Sequence, residues 1–149
     1  MGSKHRRQGD YETACKYLSK AAELGLANAH YTLSVLYGNG EGVEKDMKRF
    51  IYHAEQAAIG GHPYARYNLG CFDVSNGRFE RAKKHFIIAA NLGCHESSKE
   101  LKKLYADGHA SKEDYAGALR AYQAAVDATK SAEREEVANF IKDRYRNQE

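Results

Sequence analysis

An Ala-Ala pair, two further residues and a glycine recur three times in this chain, as Ala21-Ala22-x-x-Gly25, Ala57-Ala58-x-x-Gly61 and Ala89-Ala90-x-x-Gly93. The intervals of 36 and 32 residues fall within the periods of helical solenoids. A unit of that length cannot bury its apolar face alone, so the chain is constrained to stack unit upon unit. The register extends to other positions. Leu33, Leu69 and Leu101 lie twelve residues past the first alanine, Leu36, Phe72 and Leu104 fifteen past it, and Ala29, Ala65 and Ser97 eight past it. Ala14, Phe50 and Ala82 lie seven before it. A fourth copy anchored on Ala125 keeps Ala118, Val137 and Phe140 in phase but carries Thr129 where the glycine falls.

These positions have physical reasons to be small or apolar. Alanine lets two helix axes approach to about 8 Å. Glycine ends a helix because it takes the left-handed conformation without a Cβ penalty. Leucines three apart share one helix face. One proline and no tryptophan in 149 residues also favour helices, since proline is their strongest interruption. The expected elements are helices over 10–24, 27–37, 45–59, 63–75, 78–92, 95–106, 113–129 and 131–146, paired as antiparallel hairpins. Pro63 suits the first position of its helix. Ser131 is expected to cap the last helix, with Glu133, Glu135 and Glu136 in its first turns. Residues 1–9 read as an expression-tag scar with an incomplete first repeat, 10–130 as the repeat array, and 131–149 as a C-terminal capping helix and tail.

Composition excludes several classes of function. The 23 basic and 20 acidic residues are interspersed, so the formal charge of +3 gives no stripe for a nucleic acid. Cys15, Cys71 and Cys94 are odd in number and match no metal-ligand spacing, which reads as reduced thiols in a cytosol-like compartment. The segment Met1 to Arg7 has charge but no apolar run behind it, and no later stretch could span a bilayer. The chain is expected to be soluble, intracellular and cytoplasmic.

The run Tyr37-Gly38-Asn39-Gly40-Glu41-Gly42-Val43-Glu44-Lys45-Asp46, followed by Arg49 and then Ala57-Ala58-x-x-Gly61, resembles the Sel1-like repeat pattern Y-x-x-G-x-G-V-x-x-D…A-A-x-x-G. Tyr105, Gly108 and Asp114 repeat part of it, and the resemblance covers roughly residues 10 to 146. Two departures stand out: Phe50 where a small residue is usual, and Ala54 where a large aromatic is usual. The two changes offset each other in volume. The resemblance implies an all-α fold, a right-handed α-solenoid of antiparallel helix pairs (Sel1-like, tetratricopeptide-like repeats), acting as an adaptor or scaffold in protein complexes. It implies no catalytic residue set.

In such stacks the first helix of each pair lines a concave groove, which puts Tyr31, Val35, Tyr67, Cys71, Lys99 and Lys103 toward it, with Tyr64 one turn nearer a helix start. Tyrosines would supply rigid contact area, and the lysines would favour an acidic peptide. Packing between repeats is an equally good reading of Tyr31 and Tyr67. His53 and His85 occupy equivalent positions, but a structural zinc site wants about four ligands and no Cys or Asp repeats in phase with them, so they read as packing residues. Cys94-His95 are adjacent, and adjacent helical residues point about 100° apart. The glycine-rich stretch 38–42 lacks the Lys-Ser/Thr of a phosphate loop.

The expected function is therefore a protein-interaction module that binds a partner peptide or protein in the groove, with no catalytic residues, no cofactor and no metal. An RNA-binding helical repeat is the first rival; it would need a recurrent polar pair at the groove positions, which change from Tyr to Lys. A self-assembling element is another, with a monomer or a weak homo-oligomer forming through exposed repeat ends. An enzyme on a helical scaffold ranks below both.

Overall fold

The computed structural model describes residues 2–146. Seven helices follow one another: α1 (Gly2–Glu23), α2 (Ala27–Asn39), α3 (Met47–Ile59), α4 (Pro63–Ser75), α5 (Phe79–Asn91), α6 (His95–Ala106) and α7 (Lys112–Arg146). Each packs mainly on its chain neighbours, most extensively α2 on α3 and α4 on α5, while α7 lies against both α5 and α6. Among the described residues there is no strand, and the fold is an all-α solenoid.

The Ala-Ala-x-x-Gly motif is a helix stop built the same way three times. Gly25, Gly61 and Gly93 have φ of 79°, 84° and 90°. Their N–H groups donate to Ala22, Ala58 and Ala90 at 2.8, 3.0 and 3.0 Å. The next residues, Leu26, His62 and Cys94, donate to Ala21, Ala57 and Ala89 at 3.2, 3.0 and 2.9 Å. This pair of bonds satisfies the orphan carbonyls of a helix C-terminus and turns the chain back on itself. The alanines that accept them also form the close contact, with Ala57, Ala89 and Ala90 fully buried.

The starts are more varied. Asp46 accepts from the N–H groups of Lys48 and Arg49 at 3.0 and 3.1 Å and caps α3. Pro63 opens α4 at its first turn. Ser111 and Asp114 form a reciprocal box at the start of α7: the Asp114 N–H donates to Ser111 Oγ, and the Ser111 N–H donates to Asp114 Oδ2, both at 3.0 Å.

Two expectations are corrected. Helix α1 begins at Gly2 rather than at residue 10. Gly9 alone is a cost of about 1 kcal/mol, not a stop. The helices expected over 113–129 and 131–146 are one helix of 35 residues, and Ser131 caps nothing. Thr129 explains this: a β-branched residue does not take the left-handed conformation that glycine supplies at the other three sites, so α7 continues. Residues 147–149 of the expected cap lie outside the described residues.

Small clusters between successive helices make up the core. Phe50, Ala54, Ala57, Ala65 and Leu69 form one, with Phe72 against it. Ala82, Phe86, Ala90, Leu101, Leu104 and Ala118 form the next, with Tyr67 and Cys71 against it. The exchange of bulk foreseen at Phe50 and Ala54 is present. Phe50 meets the Phe72 ring edge-on at 5.7 Å, and a Cβ on Gly38 would come within 3.1 Å of it. In the next unit Ala82 is small and Phe86 is large, and Phe86 fills the space that a Cβ on Gly70 would invade at 2.5 Å.

Candidate functional site

A cleft of about 430 Å³ lies between α2 and α4, closed at one side by the start of α3. Tyr31 and Val35 come from α2, Phe50 from α3, and Asn68, Cys71 and Phe72 from α4. Residues four apart on α2 and three or four apart on α4 share one helix face, which is why the stack presents them together. Polar and apolar groups share the lining, with the Asn68 amide among aromatic and aliphatic carbon.

An aromatic ladder runs from one side of the cleft. The Tyr31 ring stacks on His62 at 4.1 Å and 14°, and Tyr64 lies 6.5 Å from Tyr31. His62 is held from behind, because its Nδ1 accepts from the Ala65 N–H at the start of α4. Burial lowers the His62 pKa from its ordinary value, so a neutral ring does the stacking.

The structure thus brings Tyr31, Val35 and Cys71 together in one cleft and leaves Tyr64 exposed beside it. Tyr67 is half-buried, with its ring 6.1 Å from Phe86. Burial, with the Cys71 thiol beside it, pushes the Tyr67 phenol up to about 12. Lys99 and Lys103 are exposed on α6. Lys103 Nζ lies 2.7 Å from Glu100 Oε1, and the Tyr64 phenol is raised chiefly by the Glu96 carboxylate. That end of the surface therefore carries mixed charge rather than the positive field read from the lysines alone.

Sequence reasoning missed His62 and Asn68. The signal for His62 was its place directly after the repeat glycine, where Leu26 and Cys94 stand in the other copies. Asn68 gave none, since a single amide on a helix has no periodic signature.

Burial raises both Cys71 and Cys94, whereas a reactive thiol is lowered by nearby positive charge. His53 and His85 pack between helices, His53 against His30 with Nδ1 to Nδ1 at 2.9 Å and His85 beside Asp73 at 3.7 Å. Among the described residues, no three His, Cys, Asp or Glu side chains gather where a metal could be held, and no helix is long and apolar enough to cross a membrane.

Comparison with known proteins agrees with the architecture. The family model "Sel1 repeat" matches residues 2–26, 27–62 and 63–94. A Sel1 repeat protein from Oxalobacter formigenes, solved by crystallography, superposes with a TM-score of 0.65 at 26% identity over 78% of this chain. This chain spans 50% of that one. Among curated proteins none matches. Three consecutive matches that span α1 to α5, with the stops of α1, α3 and α5 built alike, establish that the chain belongs to the Sel1 repeat family.

Proposed function

We propose that the protein is an interaction module that takes a peptide segment of a partner protein in the cleft between α2 and α4. The observation that carries this reading is the cleft itself: an open concavity of about 430 Å³ with rigid aromatic walls and a polar amide within it. That volume suits a large apolar side chain, and Asn68 can both donate to and accept from a peptide backbone. Tyr31 is a suitable anchor because its stack on His62 fixes the ring before any partner arrives. Cys71, Val35 and Phe72 supply the apolar floor. Tyr64, Tyr67, Lys99 and Lys103 form the flanking surface, where Glu96 and Glu100 balance the lysines, so the partner's preference rests on shape rather than on acidity. The Sel1 repeat family as a whole is one of protein-interaction scaffolds, which agrees with this reading.

Affinity capture from nuclease-treated lysate tests it, with wild type compared against Tyr31→Ala and Asn68→Ala chains of verified helicity. Proteins held by the wild type should be lost from both variants, while Lys103→Ala should retain them, because Lys103 is already paired with Glu100. Capture unaffected by Tyr31→Ala and Asn68→Ala removes the cleft from the function. Retention of RNA in an untreated lysate, with no protein held after nuclease treatment, overturns the protein-binding reading.

A further inference from the structure

Helix α7 runs on beyond the body it packs against. Its first half lies on α5 and α6, with Tyr115, Ala118 and Tyr122 against the last core cluster and Ala125 and Val126 beside Leu92 and Gly93. Residues 127–146 are all exposed where described, a length of about 30 Å. Yet the second half is not an evenly polar rod. Val137, Phe140 and Ile141 are 58%, 64% and 49% exposed, which is costly for a helix with nothing on that face.

At about 100° per residue, Val126, Glu133, Val137, Phe140 and Arg144 fall within about 60° of one another. Tyr115 and Tyr122 fall in the same arc. The exposed stripe is therefore the continuation of the face that α7 already uses to pack, past the point where α5 and α6 end beneath it.

Charge along this segment is segregated. Glu133, Arg134, Glu135 and Glu136 carry net −2, and Lys142, Asp143, Arg144 and Arg146 carry net +2. Two such helices side by side and parallel would set like against like. Antiparallel, the acidic half of each lies along the basic half of the other, and the helix dipoles also oppose.

We propose that the exposed half of α7 is a self-association surface, on which a second copy of this chain docks its own α7 antiparallel. Val137 of each copy packs on Phe140 of the other at the centre, and Glu133 of each meets Arg144 of the other on either side. Ile141 flanks the central layer. Few large side chains and a contact of about 30 Å put the dimer in the small, weak interface class, below about 1,200 Å². Monomer and dimer then exchange over micromolar to millimolar concentrations.

Sedimentation velocity on the full chain, from about 1 µM to about 1 mM, reads this directly. The apparent mass should climb toward twice that of one chain, and Phe140→Asp should hold it at one chain throughout. Since Phe140 lies outside the core, the variant should keep wild-type helicity and melting. Orientation is read by a charge cycle: Glu133→Arg alone and Arg144→Glu alone each weaken the dimer by about tenfold, and the two together in one chain restore it. A parallel pair would set residue 133 against 133 and 144 against 144, so no rescue could occur. A wild-type chain that stays monomeric assigns the stripe to some other chain and overturns the proposal. Association that survives Phe140→Asp places the contact elsewhere, as at exposed Leu24 and Leu26 at the far end, and overturns it equally. Single reversals without rescue overturn the antiparallel arrangement.

Discussion

The hairpin α2–α3 holds His30, Tyr37, Arg49 and His53 at the repeat positions where the hairpin α4–α5 holds Arg66, Asp73, Arg81 and His85. In the first, His30 and His53 share a hydrogen bond between their Nδ1 atoms at 2.9 Å. Tyr37 stacks on His53 at 5.8 Å and 3°, and its hydroxyl accepts from Arg49 Nη1 at 2.8 Å near the surface. In the second, the place of the Tyr37 phenol is taken by the Asp73 carboxylate, which is 2% exposed. It accepts from Arg78 Nε at 2.8 Å and lies 3.6 Å from Arg81 Nε and 3.7 Å from His85 Nε2. Arg66 Nε and His85 Nδ1 are left buried without a hydrogen-bond partner. One backbone geometry thus supports an aromatic set in one unit and an ionic set in the next. The solenoid fixes where side chains meet, not the chemistry with which they meet, and the ionic unit is less tolerant because it buries a charge.

The largest expected effect concerns volume rather than charge. Phe86→Ala removes a ring that is 0% exposed and that no neighbour can replace, and should cost about 3–5 kcal/mol in urea unfolding. Phe50→Ala, which removes the ring that stands one helical turn earlier in the preceding unit and on the edge of the open cleft, should cost about 1 kcal/mol less, because its cavity opens to solvent. Equal losses would mean that the two hairpins are packed alike and that the cleft edge is as closed as the core.

Second comes the ionic contrast. Arg78→Ala withdraws the nearest partner of a buried carboxylate while Arg81 and His85 remain, and should destabilise by about 2 kcal/mol. Arg49→Ala breaks bonds to Tyr37 and Asp46 at an exposed position and should cost no more than about 1 kcal/mol. If Arg49→Ala proves the more damaging, the burial argument for the second hairpin fails.

The parts of this fold that were legible in the sequence are those that recur. Ala21, Ala57 and Ala89 with their glycines announced the period, and the structure shows why: each motif supplies both accepting carbonyls and the left-handed residue of one turn. Thr129 is also legible as a lost glycine, and its consequence is a helix that runs on through Ser131 without stopping. The resemblance to stacked helix pairs puts Tyr31, Val35 and Cys71 toward a groove, and all three line the cleft between α2 and α4. The charge around Lys99 and Lys103 could not be judged by sign alone, since Glu96 and Glu100 share their helix and neutralise it locally. Asp73 was invisible for a different reason. It stands in phase with Tyr37 and Tyr105, and a position occupied by tyrosine in two copies gives no hint that the third buries a carboxylate.

The smallest effect is the response to acid, and it separates the two histidine environments. Burial lowers His53 from the ordinary imidazole value of 6.5, with the charges of His30 and Arg49 acting the same way. Burial also lowers His85, aided by Arg66 and Arg81, but Asp73 and Glu55 pull in the opposite direction. A histidine whose folded pKa lies below its unfolded one binds protons more readily when unfolded. Its contribution is therefore complete above about pH 6.5 and is lost as pH falls through the folded value. Melting temperature should drop by a few degrees between pH 7.5 and pH 5.5, above the window in which Asp114 and Glu96, both lowered carboxylates, begin to protonate. His53→Gln should flatten that drop more than His85→Gln, because protonating His53 places a charge against another imidazole, whereas protonating His85 places one beside a carboxylate. The reverse order would show that the unpartnered Nδ1 of His85 and the nearby Arg66 outweigh Asp73, and would make the ionic hairpin the acid-sensitive one.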